Sequence, residues 1–529
     1  MTDPLELALD RVMRHATDLA SVWGSKAHAS TTVARERAIL RLFGVTGLDH
    51  SGVPLASAVV ERAMGEDPAR LGSGMALPFA VALLEYDITP QQLALDVANG
   101  AIDLAFEAQL LADPERRATA ETEVRRMAAL AVERIDANRT ARRETLAVVG
   151  ETPRPWIGAT LFAPGLDAAP DEAEGLVVAG ADLVRIRVPA IRELALRLHD
   201  RGIDAHDWRP RPVRAHHAIE DPADIPTGSQ RALATLRERV DEAAAQAGRY
   251  VRLSSVASAL AAPEQALVAA LERIDVVEAD PIGEIVADGV DPDRALADHS
   301  FGHRLLRRAA TLVMVGSGPL VVAPDLAAGV PADAATRAGR AFAMQALSVA
   351  FARASEIPES QLIAGALTPW LAGEPNPATQ ALATVALQRR AWPAISLAFE
   401  EPAAGGWIAA RWPLLLALGL AISGPSAIVL RTARRSELPT TVQATRATAA
   451  LATELGASPE ESLARPAVAA HAAALLAAAA TTLDQLDERG WSALLGEPIG
   501  GAGRSRLGAT AVTEKTEPFD ALIAALGDG

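Results

Sequence analysis

Between Ile157 and Leu430 short apolar runs alternate with longer amphipathic stretches. The runs predict strands at Ile157–Phe162, Leu183–Ile186, Tyr250–Leu253, Ile274–Val277, Leu312–Val315, Leu362–Ala364, Ile395–Phe399 and Ile428–Leu430. Strands that are apolar throughout and separated by helical periodicity are buried on both faces, the pattern of a parallel sheet built from βα units. Eight such units suit a closed (β/α)₈ barrel better than an open doubly wound sheet.

Ahead of Pro153 the periodicity is helical. Thr89-Pro90 and Asp113-Pro114 each place a capping side chain before a proline at the first helical position. From Pro114 to Val148, apolar Val124, Met127, Ala128, Ala131 and Ile135 recur at helical spacing and predict one long amphipathic helix. Beyond Thr440 the chain is helical again, including the alanine-rich stretch His471–Thr482. The expected architecture is α/β: an N-terminal helical domain over 1–150, a TIM-type barrel domain over 151–438 and a C-terminal helical extension over 439–529. The stretch Trp412–Leu430 is uncharged, but Pro413, Gly424 and Pro425 interrupt it, so a buried helix followed by a buried strand is the better reading than a membrane span.

A net charge of −16 over 529 residues argues against a nucleic-acid backbone as the main partner. The absence of cysteine removes disulfides, thiolate chemistry and cysteine-ligated metals. Met1–Asp18 lacks the apolar centre of a secretory signal, so the expected setting is the cytoplasm, with no membrane association. Only two of the 50 basic residues are lysines, Lys26 and Lys515, and both fall outside the predicted barrel. The barrel therefore has no amine of its own for Schiff-base chemistry.

Val315-Gly316-Ser317-Gly318-Pro319 follows a predicted strand and would lie on the face where such barrels bind ligands. Its amides suit a phosphate or carboxylate, and a plain βα turn is the equal alternative. Gly500-Gly501-Ala502-Gly503-Arg504 follows no strand and reads as a turn. His299 and His303 share a helix face, and His216-His217 sits in a proline- and arginine-rich loop; neither pair has a third ligand in sequence, so no metal is assigned. Arg431, Arg434 and Arg435 read as a solvated basic edge, with an anion clamp as the sharper alternative. There is no Gly-x-Ser-x-Gly elbow and no Asp-x-His-x-x-Gly cobalamin motif.

The spaced set Thr31-Thr32-Val33, Glu36-Arg37, Arg41-Leu42, Gly44, Gly47, Asp49 and Gly52-Val53-Pro54-Leu55 resembles the opening of the alpha subunit of D-lysine 5,6-aminomutase. The likeness continues through Thr89-Pro90-Gln91, Asp103-Leu104, Asn138-Arg139, Arg142, Tyr250-Val251-Arg252-Leu253, Ser258, Pro263-Glu264 and Glu272-Arg273-Ile274-Asp275, and it ends in Gly500-Gly501, Arg504 and Pro518-Phe519. The resemblance implies a barrel that holds pyridoxal phosphate and an amino acid or diamine. It also implies a hetero-oligomer, in which a separate beta subunit brings adenosylcobalamin and the lysine that holds pyridoxal phosphate at rest. The implied activity is that of an isomerase, shifting a terminal amino group to the neighbouring carbon.

Matched residue by residue, the resemblance assigns cofactor contacts to Ser258 (pyridine nitrogen) and Arg187 (phosphate) and no catalytic residue, and the glycine loop adds Gly316 as a candidate contact. Elsewhere this chain departs from the pattern. Gly283 and Asp288 stand where the family has a stacking tyrosine and a phosphate-binding arginine, Val315–Gly318 replaces an acidic loop, and Phe399-Glu400-Glu401-Pro402 replaces a lysine-bearing segment. Arg209-Pro210-Arg211-Pro212 stands in for a glycine-rich loop. These losses count against pyridoxal phosphate and support a second reading, a non-catalytic barrel paralogue that stabilises or regulates an active complex. Acids in place of bases at Asp288, Glu400 and Glu401 suggest a pocket for a cationic ligand.

Overall fold

The computed structural model describes residues 3–50, 53–65, 67–161, 169–186, 225–257, 261–288, 290–316, 333–367, 376–401, 407–424, 426–430, 437–492 and 512–526. Eight parallel strands close into a barrel: β2 (Trp156–Thr160), β3 (Leu183–Arg185), β4 (Arg252–Val256), β5 (Val276–Glu278), β6 (Leu312–Val315), β7 (Leu362–Gly365), β8 (Ser396–Glu400) and β9 (Ser426–Leu430). Neighbours pair in chain order, and β9 returns to β2 with Trp156 opposite Ala427. All eight predicted strands are present. The third and fourth lie two residues later than predicted, because Tyr250, Val251 and Ile274 are buried just ahead of the ladder rather than within it.

The predicted long helix is α7 (Pro114–Val149), the last of seven α-helices, α1 to α7, among the described residues ahead of the barrel. Its cap is the predicted one, Asp113 accepting from the Glu115 amide at 3.0 Å. Thr89 likewise caps α5 (Pro90–Ala98) by accepting from the Gln92 amide at 3.2 Å. Two short strands interrupt the expected all-helical flanks: β1 (Ser30–Thr32) pairs antiparallel with β10 (Val512–Glu514), joining the start of the chain to its end. Three residues without alternation carry no periodic signal, which is why sequence pattern missed them.

The helix α1 (Pro4–Ala29) packs with barrel helix Ala334–Ala354 and with Pro466–Arg489. The last two approach at Gly339, where a Cβ would come within 2.5 Å of Ala478 Cβ. Pro466–Arg489 is the one described helix long and apolar enough to cross a membrane, yet one face, including Leu475, Leu476 and Leu483, is buried in this three-helix contact. The uncharged stretch 412–430 forms most of helix Trp407–Ser423 followed by β9, the expected helix and strand; Gly424, at φ +65°, follows the helix, whereas Pro413 lies inside it instead of interrupting it.

A seam of buried charge joins the preceding helices to the barrel. Arg37 and Arg41, on α2 (Val33–Leu42), hold Glu264 at 2.8 and 2.7 Å. Asp275, just before β5, receives the Tyr250 hydroxyl at 2.6 Å, the Leu253 amide at 2.9 Å and Arg237 at 3.0 Å, with Arg142 of α7 paired at 2.9 Å. Burial alone would raise both carboxyls, but the paired guanidiniums outweigh it and hold Glu264 and Asp275 below their ordinary values.

Candidate functional site at the barrel mouth

Inside the barrel the side-chain layers change character from base to mouth. Trp156, Leu183, Val276, Met314, Ile363, Ala398 and Ala427 form one apolar cluster. Alternation along each strand places the next inward positions two residues further on. There β3, β5 and β8 supply Arg185, Glu278 and Glu400, and Thr160, four residues beyond Trp156 on β2, pairs in register with Arg185. Arg185 on β3 pairs through Nε with Glu278 on β5, and through an Nη with Glu400 on β8 at 3.2 Å. Only side chains that point across the lumen can join these non-adjacent strands. All three residues are buried. Burial would pull the Arg185 guanidinium down, and the two glutamates outweigh it and keep it protonated well above its ordinary value.

A polar brace supports the mouth from behind. Asp280, which follows β5, accepts from the Gly316 amide at 2.8 Å, the Ser348 hydroxyl at 2.7 Å and the Ile282 amide at 3.1 Å. Burial pushes its carboxyl up. Gly316 has φ +66° and a Cβ there would meet Gln345 at 2.8 Å, so glycine is required for both conformation and space. Gln345 and Gln388 both donate to the Gly365 carbonyl, and Gln388 also donates to Gln345 at 2.5 Å. His299 lies 3.0 Å from Glu284, and His303 meets the Ala279 carbonyl at 3.0 Å. Burial lowers the two imidazoles to about 4 and about 3, respectively.

Of the residues predicted to touch a cofactor, Gly316 is in place at the end of β6, with its amide given to Asp280. Ser258 and Arg187 lie outside the described residues, as do His216-His217, Arg209–Pro212, Arg431, Arg434, Arg435 and Gly500–Arg504. Gly283 is buried against Asp280, Asp288 ends the helical turn that follows, and Glu401 turns its amide to the Val429 carbonyl at 2.8 Å. Glu400 alone of the three suspected acids is placed among the described lumen residues. Sequence reading missed Arg185, Glu278 and Asp280. The available signal was a charge at inward parity within an apolar strand, as in Leu183-Val184-Arg185 and Val276-Val277-Glu278.

The mouth also tests the fit of pyridoxal phosphate. Its phosphate needs guanidinium or amide donors. Among the described residues the Arg185 guanidinium stands between the carboxylates of Glu278 and Glu400, which would repel a phosphate, and the Gly316 amide is given to Asp280. These residues do not fit the phosphate.

A closed eight-stranded parallel barrel with helices before and after it, and with charge gathered at the carboxyl ends of its strands, defines a TIM-barrel protein with its polar centre at the mouth. The model of the D-lysine 5,6-aminomutase alpha-subunit TIM-barrel domain matches residues 6–200 and 226–404, and the chain belongs to that family. Lysine 5,6-aminomutase alpha subunits are similar at 26% identity: that of Fusobacterium nucleatum over 71% of this chain and 66% of its own length, and that of Acetoanaerobium sticklandii over 63% and 58%. The matched region thus spans less than two thirds of each relative. A dihydropteroate synthase structure from Anaplasma phagocytophilum aligns with 57% of this chain and 98% of its own at a TM-score of 0.35 and 12% identity.

Proposed function

We propose that this chain serves as the barrel subunit of an aminomutase-type assembly and that the charged layer at its mouth takes an amino acid or a diamine. The observation that carries this reading is the switch from apolar to charged side chains along the lumen of a family-matched barrel. A ligand ammonium is complementary to Glu278 and Glu400, whose two charges outnumber that of Arg185. The family reading adds a cobalamin-binding beta subunit, a hetero-oligomer in the cytoplasm and, where catalysis occurs, an intramolecular amino shift. Pyridoxal phosphate would supply electron withdrawal for such a shift, and no role of Arg185, Glu278 or Glu400 depends on it here. The second reading, a non-catalytic paralogue that stabilises or regulates an active complex, is favoured by one observation: the Gly316 amide is given to Asp280 and Arg185 is flanked by two carboxylates, an arrangement hostile to a phosphate.

Titration of the purified chain, with and without a cobalamin-binding beta-type subunit, separates these readings. Calorimetry should show saturable binding of lysine or a diamine that is weakened about tenfold or more by Glu278→Gln. Wild-type protein that binds neither amine would overturn the proposal. Saturable pyridoxal phosphate binding, read from the cofactor's visible absorbance, would favour the catalytic reading over the paralogue.

A further inference from the structure

At the opposite end of the barrel a cavity of about 600 Å³ opens beside the first residues of β7 and β8, lined among others by Glu151, Thr152, Arg154, Arg389, Ile395 and Ser396. Its volume lies within the range of small-molecule sites. Arg154 lies over the Trp156 ring at 4.2 Å and bonds the Ser396 hydroxyl. Arg252 covers the same tryptophan at 3.7 Å and reaches Glu151 at 3.0 Å, while one of its terminal nitrogens is buried with no hydrogen-bond partner. Arg389 donates to the Ile395 carbonyl at 2.8 Å, and no carboxylate pairs with it among the described residues. Arg154 and Arg389 thus line a cavity in which Glu151 is the one lining carboxylate among the described residues, with Arg252 behind Trp156.

Stacking on Trp156 would account for Arg154 and Arg252 as a plug in the barrel base. It does not account for Arg389, which has no part in that stack. Arginine presents a planar fork suited to oxyanions. Burial, the leading cause at all three residues, lowers their proton affinity, and a bound anion would offset that cost.

We infer that the base of the barrel is a binding site for a small, multiply charged oxyanion, a polycarboxylate or a phosphate ester, gripped by Arg154 and Arg389 with Arg252 behind them. The site uses none of the mouth residues, so the two readings stand or fall separately.

The test is calorimetric titration of the full chain with inorganic phosphate, citrate and ATP at constant ionic strength. At least one should bind saturably, and the pattern across the three separates carboxylate from phosphate recognition. Arg389→Gln, half-buried on helix Pro377–Ala391, should weaken that binding about tenfold or more while lowering the unfolding midpoint of the ligand-free protein only slightly, as the loss of a single hydrogen bond to the Ile395 carbonyl does. Arg116→Gln, which removes an exposed pair with Glu85, should bind as wild type does. Absence of saturable binding to all three anions, or an Arg389→Gln variant with wild-type affinity, would overturn the inference.

Discussion

The seam around Asp275 and the cluster around Arg185 are built from the same side chains in opposite proportions. At the seam one carboxylate receives two guanidiniums, a tyrosine hydroxyl and an amide. At the mouth one guanidinium receives two carboxylates. The seam contains Arg142, Tyr250 and Asp275, all of which carry the resemblance to the aminomutase alpha subunit, as do Arg37, Arg41 and Glu264 beside it. The mouth residues Arg185, Glu278 and Glu400 carry none of it. In this chain the family-like motifs mark the joints that hold helices to barrel, and they say little about what the lumen binds. A barrel can keep its joints while its mouth is rebuilt, since stability and ligand recognition reside at different places in such folds.

The comparison is broken most sharply at Asp275. Asn in its place would keep the shape but leave the Arg142 guanidinium without an anion and Arg237 with Asp241 alone, and it would put an amide donor against donors. Loss of one partner from a buried ionic network costs about 3–5 kcal/mol. Asp275→Asn should lower the urea midpoint accordingly, with its slope unchanged. A loss under about 1 kcal/mol would mean that the seam is not what joins the layers.

The fold was legible because eight apolar runs separated by helical periodicity leave few alternatives, and the caps Thr89 and Asp113 mark their own helices. The site was less legible. A charge within a strand interrupts an apolar run, and only the parity of that strand within a closed barrel shows whether it faces lumen or helix. Leu183, Arg185, Val276 and Glu278 share inward parity, while Val184 and Val277 pack against the helices. Asp280 was hidden for another reason, since its partners Gly316 and Ser348 are 36 and 68 residues away in the chain. Glu400 was picked out as a candidate acid by its place in a substituted segment, whereas its partner Arg185 lies 215 residues earlier on the far side of the lumen.

Histidines behind the mouth provide a middle-sized effect with a defined sign. In the unfolded chain His299 and His303 take up protons near 6.5, whereas in the fold burial lowers them to about 4 and about 3. Because the folded pKa values are depressed, the fold favours the neutral rings, and stability is lost as pH falls from 6.5 towards those values. At pH 5 each ring should cost about 2 kcal/mol relative to neutral pH. The paired carboxyls of Asp275 and Glu264 contribute with the same sign at lower pH, since they too are depressed, so their losses begin below the carboxylate range. Melting curves between pH 7.5 and 5 should therefore report the histidines behind the mouth before the seam. His303→Phe should flatten that segment of the profile, and an unchanged slope would show that other groups set it.

The smallest expected change in stability, at Glu400, sharpens the contrast most. Glu400→Gln keeps side-chain shape and an oxygen acceptor for Arg185, which retains Glu278 on its Nε side. Removing one carboxylate from a guanidinium that keeps another does not strand a buried charge, so the cost should stay within about 1 kcal/mol. Amine affinity should nevertheless fall by about tenfold or more, because the lost charge faces the ligand. The same exchange of acid for amide thus separates the regions: at Asp275 stability falls, and at Glu400 affinity falls while the fold remains. A Glu400→Gln variant destabilised as strongly as Asp275→Asn, with amine binding unaltered, would make the mouth cluster a second joint of the scaffold and leave the lumen without an assigned ligand.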